Sequence, residues 1–123
     1  MTDHSQEFSP LIDVSVLDEL REVLGEELGE IVGHFVVQLD EQVNSVRDAL
    51  AVADRQRIIE TAHSLKGGAA NFGANRLSSI AAAIERAARD EDLSRAASAH
   101  AALAQTKRDT VGRLVELGYC KPH

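Results

Sequence analysis

Apolar residues along this chain recur at intervals of three and four, the period of a helix with one buried face, and nowhere alternate with period two. The first stripe, Val14, Leu17, Leu20, Val23 and Leu24, predicts a short helix that Asp13 or Ser15 caps and Gly25 ends. A longer stripe of Leu28, Ile31, Val32, Phe35, Leu39, Val43, Val46 and Leu50 predicts a second helix from about Glu26 to Ala51. Glu26, Glu27 and Glu30 lie at its positive end. Asp54 is placed to cap a third helix, with Ile58, Ala62, Leu65, Ala69 and Phe72 inward and Gly73 as its stop. Asn75 is expected to cap a fourth, which turns Leu77, Ile80, Ala81, Ile84 and Ala88 inward. The fifth runs from near Leu93 to Leu117 on Ala96, His100, Leu103, Val111, Leu114 and Val115, before Gly118. Connections of a few residues make consecutive helices antiparallel. The expected fold is therefore all-α, an antiparallel up-and-down four-helix bundle with a short additional N-terminal helix. It occupies residues 10–118, between a disordered lead-in at 1–9 and a C-terminal tail at 119–123.

Composition narrows what such a bundle can be. With 44 % hydrophobic residues, 123 residues suffice for one core, and 3 % aromatics mean that aliphatic side chains must fill it. No run of about 18 apolar residues is present for a membrane span. The opening MTDHSQEFSP lacks the basic start and apolar stretch of a secretion signal, so the expected location is the cytoplasm. A lone cysteine, Cys120, excludes an intrachain disulfide and a cysteine metal cage. The net charge of -7 argues against general binding of nucleic acid. That charge is uneven: residues 1–52 carry 12 acidic and 2 basic side chains, residues 53–123 carry 8 and 11. The asymmetry fits a solvated surface, or a region around His63 kept less negative for an incoming anion.

The third helix contains an anomaly. In HSLKGGAANFG, residues 63–73, two adjacent glycines interrupt the pattern, each costing about 0.5–1 kcal/mol relative to alanine. On a helical wheel with Ile58 at the origin, the inward residues cluster within roughly 40°, whereas His63 falls near roughly 140°. His63 is thus expected on the outer face, with Gln56, Ile59, Lys66, Gly67 and Ala70 around it. Gly67, four residues on, leaves bare backbone beside the imidazole, so that a partner can approach without collision. Gly68, at roughly 280°, faces a neighbouring helix and is expected to serve close packing. Neutral imidazole is a good nucleophile that can accept a phosphoryl group. A phosphoryl in transit needs positive charge nearby, which Lys66 can supply, with Arg55 and Arg57 adding to the local field.

The stretch Ala62-His63-x-Leu65-Lys66-Gly67, followed by Gly73, Leu77 and Ile84-Glu85, resembles the histidine-containing phosphotransfer (HPt) domains of multistep phosphorelays. Gly68, where serine or alanine is commoner, and Ile84, where leucine is usual, are small departures. The resemblance implies that His63 accepts a phosphoryl group from the aspartate of a receiver domain and passes it to another receiver. It implies that Lys66 stabilises the phosphoryl oxygens and that Gly67 admits the receiver's loops. Gln56, Ile59 and Ala70 would complete the docking surface. Such a protein is a carrier without kinase activity, has no cofactor of its own, and relies on Mg2+ held by the receiver. Its partners would be receivers and possibly a hybrid histidine kinase. No G-x-x-x-x-G-K loop for ATP is present, no metalloprotease or hydrolase spacing, and no uniformly basic recognition helix. His100 reads as a partly buried, satisfied residue of the fifth helix. The alternative is a helical adaptor that docks on a histidine kinase or receiver with His63 silent. The initial Met and a complete bundle favour a stand-alone protein over an excised domain.

Overall fold

The structure, a computed structural model, describes residues 10–120. The expected lead-in at 1–9 and the tail residues 121–123 lie outside the described residues. Among those described are five α-helices and no strand: α1 (Val14–Leu24), α2 (Glu27–Ala51), α3 (Arg55–Asn71), α4 (Asn75–Arg89) and α5 (Leu93–Glu116).

Three of the five helix starts are capped by a side chain. Asp13 is the cap of α1, its carboxylate accepting from the Ser15 N–H; Asp54 accepts from Arg57 N–H at α3, and Asp92 from Arg95 N–H at α5. Asn75 does not cap α4. Ala74 holds the cap position without a side-chain bond, and Asn75 is the first helical residue. The turn uses backbone instead: Gly73 takes φ +72°, Ala74 N–H donates to Ala69 O at 2.9 Å, and Asn75 N–H to Gly73 O at 2.8 Å. Gly73 also accepts from Asp13 N–H at 2.8 Å, which pins the start of α1 to the α3–α4 turn.

α2 packs against α3 and α5, and α4 against the same two, with α3–α4 the most extensive pairing; α1 lies on α2. Leu28, Val32, Leu39, Ile58, Leu65, Leu77, Ile84 and Leu103 are fully buried between them. Phe35 of α2 stacks on Phe72 at 4.6 Å between ring centroids, which fixes the end of α3 against α2. Two expected core positions are displaced: Val23 and Ile31 are exposed, while Val36 is buried. α5 covers the Val36 flank of α2, where Val36 lines a groove with Val111 and Val115.

Candidate functional site

α3 and α4 approach closely because small residues line their contact. Ala62 and Ala69 on α3, and Ala81, Ala87 and Ala88 on α4, are completely buried. Three bonds from α3 and α4 side chains to backbone hold the register. Ser78 Oγ donates to Lys66 O at 3.0 Å; Arg55 Nε and Nη2 donate to Ala88 O and Arg89 O, carbonyls of the last turn of α4. Arg55 is therefore engaged in holding α4, and Arg57 turns to α2, where its Nε donates to Ser45 Oγ.

His63 stands outward, its side chain 66 % exposed, and its Nδ1 lies 3.1 Å from Glu85 Oε2 on α4. Lys66 Nζ donates to Glu85 Oε1 at 2.8 Å, and Arg89 donates through Nε and Nη2 to Oε2 at 3.2 and 2.9 Å. One buried carboxylate thus holds an imidazole and two cations. The Glu85 side chain is only 8 % exposed, and desolvation alone would raise its pKa. The bond from Lys66 overcomes that, helped by Arg89 and His63, and lowers the carboxyl from 4.5 to about 2. Glu85 is therefore ionised near neutral pH and can only accept. The Nδ1 facing it must be the protonated nitrogen, so in neutral His63 the lone pair belongs to Nε2.

Gly67 is exposed, and a Cβ built there would meet nothing within 4 Å. Gln56 and Ala70 are exposed on the same helix, Gln56 donating to Glu60 at 3.1 Å. Ile59 differs from expectation: at 6 % exposure it belongs to the core, because packing of α3 against α4 covers that edge of the helix. Gly68 differs too. A Cβ there also meets nothing within 4 Å, so helix packing does not account for it. His100 is half-buried, its Nε2 3.1 Å from Val43 O, a satisfied residue bridging α5 to α2. Among the described residues no group of three His, Cys, Asp or Glu is placed to hold a metal.

Sequence reasoning recognised Glu85 only as part of a motif and did not see Arg89. A signal existed. Glu85 lies four residues after Ala81 and three before Ala88, on the buried stripe of α4, where a carboxylate requires partners.

Residues 30–114 match the model of the family described as "Hpt domain". The crystal structure of histidine-containing phosphotransfer protein B (HptB) from Pseudomonas aeruginosa PAO1 is similar to this chain, with a TM-score of 0.80 at 32 % identity, covering 83 % of this chain and 89 % of that one. Among curated proteins there is no significant match.

Proposed function

The chain belongs to the Hpt domain family, and from that premise we propose that it carries phosphoryl groups in a phosphorelay on His63. The observation that carries the assignment is the bond between His63 Nδ1 and the ionised Glu85, on a ring that is otherwise exposed. It leaves the Nε2 lone pair directed at whatever docks on α3.

The chemistry follows without a proton donor or acceptor from elsewhere. Nε2 attacks the phosphorus of a receiver's aspartyl phosphate; the N–P bond forms as the P–O bond to the aspartate breaks and the carboxylate leaves. The ring becomes cationic with its proton retained on Nδ1, and Glu85 stabilises that charge across the existing bond. Return to a second receiver runs the same steps backward. Lys66, held beside the ring by Glu85, offers its remaining N–H donors to the phosphoryl oxygens. Gly67 admits the receiver, with Gln56 and Ala70 at the edge of its footprint. Mg2+ for this chemistry belongs to the receiver. The site rides on an antiparallel up-and-down bundle of α2 to α5 with α1 in front, and the protein acts as a cytoplasmic carrier without kinase activity of its own. No described helix is long and apolar enough to cross a membrane.

A radiolabelled, phosphorylated receiver is expected to transfer label to the wild-type protein in an acid-labile, base-stable form, and not to a His63→Gln variant. Label on that variant would move the acceptor elsewhere. A silent adaptor would bind receivers equally well with or without His63 and take no label.

A further inference from the structure

The bond between His63 and Glu85 joins two helices, so its length depends on how α3 and α4 slide past each other. A slip of one residue along a helix axis is about 1.5 Å, enough to break a contact of 3.1 Å. Ala62, Ala69, Ala81 and Ala88 line much of the interface, and their single methyl groups interlock little. Polar side chains clamp the pair of helices on either side of the bond. At the start of α3, Arg55 forks over the last turn of α4, Nε donating to Ala88 O at 2.7 Å and Nη2 to Arg89 O at 3.0 Å. Toward the other end, Ser78 Oγ of α4 donates to Lys66 O of α3 at 3.0 Å.

Each clamp grips the backbone of a residue whose side chain holds Glu85. Arg89, gripped by Arg55, donates to Glu85 Oε2 at 2.9 Å; Lys66, gripped by Ser78, donates to Oε1 at 2.8 Å. Oε2 is also the oxygen that faces His63 Nδ1. Ser78 grips α3 where the helix is intrinsically weak, since the next two residues are Gly67 and Gly68. Both clamps act from a distance: Arg55 lies about two turns before His63 on α3, and Ser78 about two turns before Glu85 on α4.

We propose that Arg55 and Ser78 are positioning residues, which lock the register of α3 against α4 and thereby keep the His63 proton on Nδ1 and Nε2 free for the phosphoryl group. The inference rests on the acceptor reading of His63 and assigns the residues that fix which ring nitrogen reacts. Arg55 serves through the geometry of its planar fork, which a lysine ammonium on a flexible stem does not reproduce.

The test reads the ring directly. In protein carrying isotopically labelled histidine, nitrogen NMR at about pH 8 follows the neutral imidazole, and loss of a signal in His63→Gln identifies the residue. Wild type is expected to show the Nδ1–H tautomer alone. Arg55→Lys, Ser78→Ala and their combination are expected to mix in the Nε2–H tautomer, while Ser78→Thr, which keeps the hydroxyl, retains the wild-type spectrum. Phosphoramidate, a small phosphodonor whose P–N bond breaks as ammonia leaves, is expected to label wild type on Nε2 only and the double variant on both nitrogens, which phosphorus NMR distinguishes. Transfer from a labelled receiver is expected to fall about tenfold or more in kcat in the double variant, with KM little changed. Urea unfolding records stability separately, and the single variants carry the test should the double variant fail to fold. Variants that lose stability yet keep the wild-type tautomer and take label on Nε2 only are structural, and overturn the positioning role. A wild-type ring with its proton on Nε2 overturns the positioning and the choice of nitrogen together. If no receiver labels the wild-type protein, the acceptor reading falls, while the tautomer spectra still decide whether the clamps set the ring.

Discussion

Replacing Glu85 by glutamine while varying pH isolates what the buried carboxylate does for the fold. The carboxyl is lowered from 4.5 to about 2, first by the hydrogen bond from Lys66. Its native pKa lies below its unfolded one, so its stabilisation is complete above about pH 4.5 and is lost as pH falls through about 2. At about 1.4 kcal/mol per unit, the shift corresponds to an upper limit near 3 kcal/mol. Lys66 and Arg89 are 37 % and 59 % exposed, and solvent screens them, so about 2 kcal/mol is the working figure.

Other carboxylates also titrate in acid, so the difference between the two proteins is what matters. Urea unfolding at pH 6.5 is expected to place Glu85→Gln about 2 kcal/mol below wild type, since a neutral amide faces two cations. At pH 2.5 the gap is expected to shrink to about 1 kcal/mol or less, because the wild-type carboxyl is by then partly protonated. A gap that stays constant between those pH values would refute the claim that Glu85 carries a strongly lowered pKa.

Glu85→Gln is also expected to slow receiver-to-His63 transfer by about tenfold or more, because an amide oxygen stabilises the cationic phospho-imidazole less than a carboxylate does; single-turnover label transfer measures it. Lys66→Ala is expected to slow transfer less than loss of His63 does, and an unchanged rate would show that its charge plays no part. Gly67→Glu is expected to keep the helical circular dichroism spectrum, since a Cβ at 67 meets nothing within 4 Å, while transfer falls strongly through bulk and charge. Gly73→Ala is a fold variant: with φ +72° and a Cβ only 2.6 Å from Asp13 O, it is expected to cost about 2 kcal/mol or more in urea unfolding.

The helices and the exposure of His63 were legible because they depend on short-range pattern. The stops at Gly25, Gly73 and Gly118 all carry positive φ, as their places after apolar stripes suggested. His63 is exposed, as the wheel placed it. The errors share a different origin. Ile59 and Gly68 lie on the flanks of α3, where a wheel gives direction but not the distance to the next helix. α4 comes near enough to bury Ile59, whereas α2 stays too far away to touch Gly68. Asn75 failed as a cap because the left-handed Gly73 hands the cap position to Ala74. The role of Glu85 required knowing which helix faces α3, and that depends on long-range packing.

The bare tract on α3 is tolerable because the opposite face of the same helix is so well buried. Gly67 and Gly68 together weaken the helix by about 1–2 kcal/mol. Ile58 and Leu65 are fully buried, and each contributes about 1.5–3 kcal/mol relative to an exposed side chain, while the Asp54 cap adds about 1 kcal/mol. The glycines therefore sit where their cost is local and the compensation is tertiary. Glu85 works similarly in reverse: an uncompensated carboxylate at 8 % exposure would destabilise α4, and the side chains that stabilise it include His63 and Lys66, the two to which the proposed transfer assigns the phosphoryl group. Fold and chemistry share one constraint at this residue, so substitutions that remove its charge are expected to weaken stability and transfer together.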